Sequence, residues 1–194
     1  MIPAGELTGA VLAGGQSRRM GRDKSLLEVA GQPLWARQAA VLHAAGAVTV
    51  GLVRRPDQTP LVLPTEIPLW MDAVTGIGPM AGLQAALLAT RTDFVAVVAV
   101  DLPRIDADWF RWLAGCCDAG RGAIAQHPGG LLEPLAAIYP RTALPEINAR
   151  VCGTNFSLQS LAAALITQQS VTAVPLPAER LDHLHNWNEP VNSA

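Results

Sequence analysis

Short apolar runs rich in β-branched residues alternate along the chain with longer segments in which apolar side chains recur at helical spacing. The runs predict strands over Leu7–Leu12, Val48–Val53, Ile67–Met71, Asp93–Val100, Gly122–Gln126, Leu135–Tyr139 and Val171–Val174. The longer segments predict helices over Pro33–Ala45, Pro79–Thr90, Asp106–Cys117, Arg141–Arg150 and Ser157–Gln168. Proline opens the first two helices, where its missing N–H costs nothing, and Gly46 follows the first. Asp106 is a candidate N-cap. The segment Asp93–Val100, DFVAVVAV, is apolar on both faces, as a strand covered from both sides must be. Alternating strands and helices imply a mostly parallel sheet between helical layers, a Rossmann-like three-layer α/β/α fold. The chain shows no repeat or heptad, and its 194 residues are most simply one domain, 1–194.

Composition narrows the function. Half the residues are apolar and only 15% are charged, unlike a disordered chain. The net charge of −2 provides no basic field, so no nucleic-acid partner is expected. The start MIPAGELTGA has no basic n-region, and no apolar run approaches the roughly 18–20 residues of a membrane span. Cys116, Cys117 and Cys152 form neither a zinc pattern nor a disulfide framework and read as buried thiols, so a cytoplasmic, reducing setting is expected.

One stretch carries chemistry. After the first strand the chain reads LAGGQSRRMGRDK, Leu12 to Lys24. Gly14 and Gly15 suit close backbone approach or positive φ. Exposed backbone N–H groups in such a loop can cradle phosphate oxygens. Arg18, Arg19 and Lys24 add positive charge where a triphosphate would lie. The loop is neither a Walker A sequence nor a dinucleotide fingerprint.

In open α/β sheets ligands bind at the carboxyl ends of the strands. Asp72 and Asp101 each follow a strand and should converge there with the loop. A carboxylate beside a triphosphate calls for a cation between them, and magnesium binds through one or two carboxylates plus substrate phosphates. Asp101 is the first candidate for that ligand; a cap for the turn at Leu102-Pro103 is the other reading. Asn186 and Asn188 share a face if extended and can serve a metal or a turn. His183 and His185 lack a third ligand at metal spacing and read as solvated surface residues. The five tryptophans read as core or pocket wall.

The loop LAGGQSRRMGRDKSLLEVAGQPL resembles the signature of the molybdenum cofactor guanylyltransferase (MobA) family, in the sugar-nucleotidyltransferase-like superfamily. Gly78-Pro79-Met80-Ala81-Gly82, Val100-Asp101-Leu102-Pro103, Glu133-Pro134-Leu135 with Ile138-Tyr139, and Asn186-Trp187-Asn188-Glu189-Pro190 follow in the family's order. The resemblance implies transfer of GMP from GTP to molybdopterin or Mo-molybdopterin, with Mg2+ and release of pyrophosphate. It implies a nucleotide site of Leu12, Ala13, Gly14, Gly15, Lys24, Asp72, Gly78, Gly82 and Asp101, with Asp101 on the metal. Arg19, Lys24 and Asp101 would be catalytic, and Asn186 and Asn188 would lie on the acceptor side. Other molybdenum cofactor proteins are candidate partners. Related cytidylyltransferases carry LAAG where this chain has LAGG, which favours GTP; another nucleotide, or a sugar phosphate as acceptor, is the alternative. Two departures stand out: Gly51 occupies a position where the family often has asparagine, and the chain stops soon after NEPVN.

Overall fold

The computed structural model describes residues 2–15, 23–118 and 120–185. Its strands are β1 (Leu7–Leu12), β2 (Glu28–Val29), β3 (Gln32–Pro33), β4 (Thr49–Arg54), β5 (Leu69–Met71), β6 (Phe94–Ala99), β7 (Gly122–Gln126), β8 (Ala136–Pro140) and β9 (Val171–Pro175). The helices are α1 (Leu34–Ala44), α2 (Pro79–Ala89), α3 (Ala107–Cys116), α4 (Leu144–Val151) and α5 (Leu158–Thr167). Every strand and helix expected above is present, with ends shifted by a residue or two. The exception is Arg141–Arg150, which divides into a 3-10 turn (Arg141–Ala143) and α4.

Seven strands form one sheet in the order β5-β4-β1-β6-β8-β7-β9. All neighbours are parallel except β8, which runs against β6 and β7. Alternation along each strand divides the core in two. Val11, Val50, Leu52, Ala96, Val98 and Ile138 face α1 and α3, with Leu42, Trp109 and Phe110 at the contact. Ala10, Val53, Val95, Val97 and Tyr139 face α2, α4 and α5, meeting Leu83, Leu87, Ile147 and Leu161. Both faces of β1 and β6 are therefore covered, and six of six residues in each are buried. That explains runs with no polar alternation.

After β1 the chain goes to one side for β4 and β5, then crosses to the other side for β6. The connections diverge at the carboxyl ends of β1 and β6, which is where an open α/β sheet leaves a crevice. The short hairpin β2–β3 was not legible as strands. Its Ala30 (φ 52) and Gly31 (φ 76) both have positive φ, and two-residue strands have no period to detect. Asp106 caps α3 as expected, accepting from Trp109 N at 3.0 Å.

Candidate active site

A cleft of about 570 Å³ opens at the carboxyl ends of β1, β4, β5 and β6. Leu12, Ala13, Gly14, Gly15, Lys24, Asp72, Gly78, Gly82 and Asp101 all line it, so the expected nucleotide-site residues meet in one place. α2 presents its N-terminal turn, Gly78-Pro79, to the cleft with the positive end of its dipole. Gly78 has φ 64, a backbone state that glycine adopts without strain. Arg19, Asn186 and Asn188, together with Arg18 and Trp187, lie outside the described residues.

The glycine-rich loop leaves β1 with much of its backbone already engaged. Ala13 N donates to Val53 O at 2.9 Å, and Leu12 O accepts from Val100 N at 3.1 Å. Ala13 O accepts from Gln58 Nε2 at 2.9 Å, and Gly14 O accepts from the Arg55 guanidinium. Neither Gly14 nor Gly15 has positive φ, contrary to one use suggested for them. Glycine is needed at 14 for close approach. A Cβ there would lie 3.1 Å from Asp72 Oδ2 and 3.4 Å from Arg55 Cγ.

Two carboxylates differ sharply in environment. Asp72 follows β5, is 4% exposed, and its Oδ1 has no hydrogen-bond partner among the described residues. Burial raises its pKa, with Arg55 opposing and Asp57 reinforcing the rise. Asp101 follows β6, and its side chain is one-third exposed. Its Oδ2 lies 3.8 Å from Lys24 Nζ, and the helix that follows is capped by Asp106 instead. Among the described residues no three His, Cys, Asp or Glu side chains gather as a metal cluster. The exposed Asp101 carboxylate in a cleft with no histidine or cysteine among its described lining residues suits a hard cation completed by phosphate oxygens, and does not suit zinc.

Sequence reasoning missed a second group: Asp23, Arg54, Arg55 and Gln58. Asp23 caps the 3-10 turn Lys24–Leu26, accepting from Ser25 N at 3.0 Å and Ser25 Oγ at 2.7 Å. Arg54 NH2 lies 2.5 Å from Asp23 Oδ2. Burial alone would raise the Asp23 pKa, but the Ser25 and Arg54 contacts hold it below its ordinary value. The tandem Arg54-Arg55 at a strand end was the available signal.

Other expectations need correction. Gly51 lies in the middle of β4 and is not a cleft residue; a Cβ there would meet the Trp70 ring at 2.5 Å. An asparagine at 51 would have to displace Trp70, and the cleft-facing position of this strand is Val53. His183 is half-buried rather than freely solvated: its ring sits 5.8 Å from Trp109, and Nε2 lies 3.3 Å from Asp106 Oδ2. His185 is exposed, as expected. Of the cysteines only Cys117 is buried, which pushes its thiol pKa up to about 12; Cys152 is exposed. None of the described tryptophans lines the cleft. No helix among the described residues is long and apolar enough to cross a membrane.

Comparison with known proteins extends the picture. Residues 9–181 match the model of the MobA-like NTP transferase domain. The chain is 46% identical over 190 residues to an Opitutus terrae protein named probable molybdenum cofactor guanylyltransferase, covering 96% of this chain and 93% of that one. The fold is shared with the Archaeoglobus fulgidus molybdopterin-guanine dinucleotide biosynthesis protein A (TM-score 0.69, 22% identity, 94% and 93% covered). It is also shared with a Mycobacterium tuberculosis protein crystallised with manganese (TM-score 0.58, 18% identity, 88% of each chain).

Proposed function

The chain belongs to the MobA-like NTP transferase family, and from that premise we propose that it is a molybdenum cofactor guanylyltransferase. It transfers GMP from GTP to the terminal phosphate of molybdopterin, or of its molybdenum-bearing form, and releases pyrophosphate. The single observation that carries the reading is the meeting of the glycine-rich loop, Lys24 and Asp101 at the crevice between β1 and β6.

The chemistry asks little of general bases. The nucleophile is a phosphate oxygen that is ionised at neutral pH, since the second phosphate pKa is about 6. It bonds to the α-phosphorus of GTP while the bond from that phosphorus to the β-phosphate oxygen breaks. Accordingly, none of the described lining residues is a histidine, serine or cysteine. The protein must instead bring two anions together and offset charge on the leaving pyrophosphate. The loop N–H groups and the α2 N-terminus hold phosphates. Lys24 and Arg19 neutralise the leaving group. Asp101 would hold magnesium, and the ion would supply neutralisation of the phosphate charge.

Guanine selection falls to Asp72. The Ala13 N–H already donates to Val53, so it is not free to read a base. Asp72 lines the cleft, and its carboxylate, with one buried oxygen unpartnered among the described residues, would turn into the cleft to accept from guanine, whose Watson–Crick edge offers two adjacent N–H donors. Asn186 and Asn188 serve the acceptor side. One domain over 1–194 and a cytoplasmic setting complete the proposal, with other molybdenum cofactor proteins as candidate partners. The test is pyrophosphate release with each of the four NTPs, with and without molybdopterin. Release that requires both GTP and molybdopterin is expected; preference for CTP overturns the guanylyltransferase assignment.

A further inference from the structure

Arg54 is the last residue of β4 and is 2% exposed, and it does not line the cleft. Its guanidinium reaches in two directions. NH2 donates to Asp23 Oδ2 at 2.5 Å and NH1 donates to Thr59 O at 2.8 Å. Gln58 repeats the pattern from the same segment. Its Nε2 donates to Asp23 Oδ2 at 3.1 Å and to Ala13 O at 2.9 Å, while its Oε1 accepts from Arg55 N at 2.9 Å. Arg55 in turn donates to Gly14 O.

The glycine-rich loop thus enters at Ala13-Gly14 and leaves at Asp23, and both ends are tied to residues 54–58. Asp23 passes the restraint on. It caps the 3-10 turn whose first residue is Lys24, and Lys24 faces Asp101. From these ties we infer that Arg54 and Gln58 form a clamp that closes the two ends of the phosphate loop and positions Lys24 for the leaving group. The inference rests on the reading of this cleft as a nucleotidyl-transfer site.

Two physical arguments favour positioning over simple stability. A buried ion pair often adds no net stability over apolar residues of similar volume, because desolvation offsets the attraction. What the planar guanidinium adds is direction, since its donors leave the group at fixed angles. Second, Asp23 itself lines the cleft. Left alone, its carboxylate would repel a triphosphate; Arg54 cancels that charge without occupying the site. Arg54 and Gln58 are positioning residues, with no contact to the substrate required.

The experiment uses the whole chain. Arg54→Met keeps most of the volume and removes the donors. We expect kcat for pyrophosphate release to fall at least tenfold, and Arg54→Lys to recover part of it. In a Lys24→Ala background, Arg54→Met should cost less than a further twofold, because the clamp acts through Lys24. Losses that multiply in the double variant, or a normal kcat in Arg54→Met, overturn the inference. Gln58→Ala, a half-buried site, gives the same comparison if Arg54→Met does not fold. Amide hydrogen exchange separates the clamp from the enzymatic reading. Exchange at residues 13–15 and 23–27 should rise at least tenfold in Arg54→Met or Gln58→Ala, with β6 unchanged. Unaltered exchange refutes the clamp whatever the substrate; faster exchange in a chain that releases no pyrophosphate keeps the loop closure but overturns its catalytic role.

Discussion

Lys24 and Asp101 face each other across the mouth of the cleft, Nζ to Oδ2 3.8 Å apart, from opposite sides of the β1–β6 crevice. Partly exposed and 3.8 Å apart, such a pair contributes roughly 0–1 kcal/mol to stability. Its value lies in keeping two opposite charges beside one cavity. Lys24→Ala is therefore expected to lower kcat about 10²- to 10³-fold. The melting temperature should change by no more than about 4 °C, from about 1 kcal/mol in a chain of this size. Steady-state kinetics over a GTP series, with a thermal melt, checks both. A loss confined to KM would mean that Lys24 binds ground state and transition state alike.

Asp101→Asn should nearly abolish turnover and leave the fold intact. The carboxylate makes no cap to α3, so no helix depends on it. Loss of metal-assisted neutralisation costs several kcal/mol of transition-state stabilisation, on the order of 10³-fold or more. Pyrophosphate release at rising magnesium, with circular dichroism as the fold control, is the measurement. Near-normal turnover removes Asp101 from the metal site.

Asp72→Asn should separate stability from selectivity. Burial raises the Asp72 pKa, so the folded chain binds this proton more tightly than the unfolded chain does. Stability from this group consequently falls as pH rises from the ordinary value of 3.8 through the raised one, and the deficit persists above it. A neutral amide avoids that deficit. The free variant should melt higher than the parent at pH 7, and the gain should vanish in acid. At the same time kcat/KM for GTP should drop by about 10- to 100-fold, the range for one charged hydrogen bond. Melting curves at two pH values and an NTP panel test the two halves independently.

Gly14→Ala should erode the preference for GTP over ATP and CTP. The added methyl would meet Asp72 Oδ2 at 3.1 Å, tight enough to displace the carboxylate proposed to read the base. Comparing kcat/KM for the three nucleotides in both proteins decides it; an unchanged ratio means that Asp72 either does not move or does not read the base.

Gly51→Asn should destabilise the protein without improving base selection. Its Cβ would sit 2.5 Å from Trp70 ring atoms, and overpacking of this kind costs about 1–3 kcal/mol. That corresponds to a fall of about 2–12 °C in melting temperature for a chain of this size. A stable variant with sharpened GTP preference would contradict the placement of Gly51 under Trp70.

Much of the frame was legible from residue pattern. The run Phe94–Ala99 could only be a strand buried on both faces, and Asp101 two residues beyond it had to emerge at the sheet's carboxyl edge. The glycine-rich loop after Leu12 announced itself by composition. By contrast, nothing in the local pattern singled out Arg54, which is 2% exposed, because its partner Asp23 is distant in sequence. Gly51 looked like a lost amide and is a floor for Trp70, a contact between neighbouring strands that no local pattern records.

The sequence by itself determined which segments are strands and helices, that the sheet lies between helical layers, and which loop and carboxylates meet at one cleft. Local periodicity and turn chemistry set those features, and both act over a few residues. Only the tertiary structure decided that β8 runs antiparallel between β6 and β7, that Asp72 holds an oxygen unpartnered among the described residues, that Gln58 ties Ala13 to Asp23, and that Arg54 holds Asp23 as well. Strand order and side-chain pairing at sequence separations of 31 and 45 depend on packing between distant segments. That information enters only when the chain closes on itself.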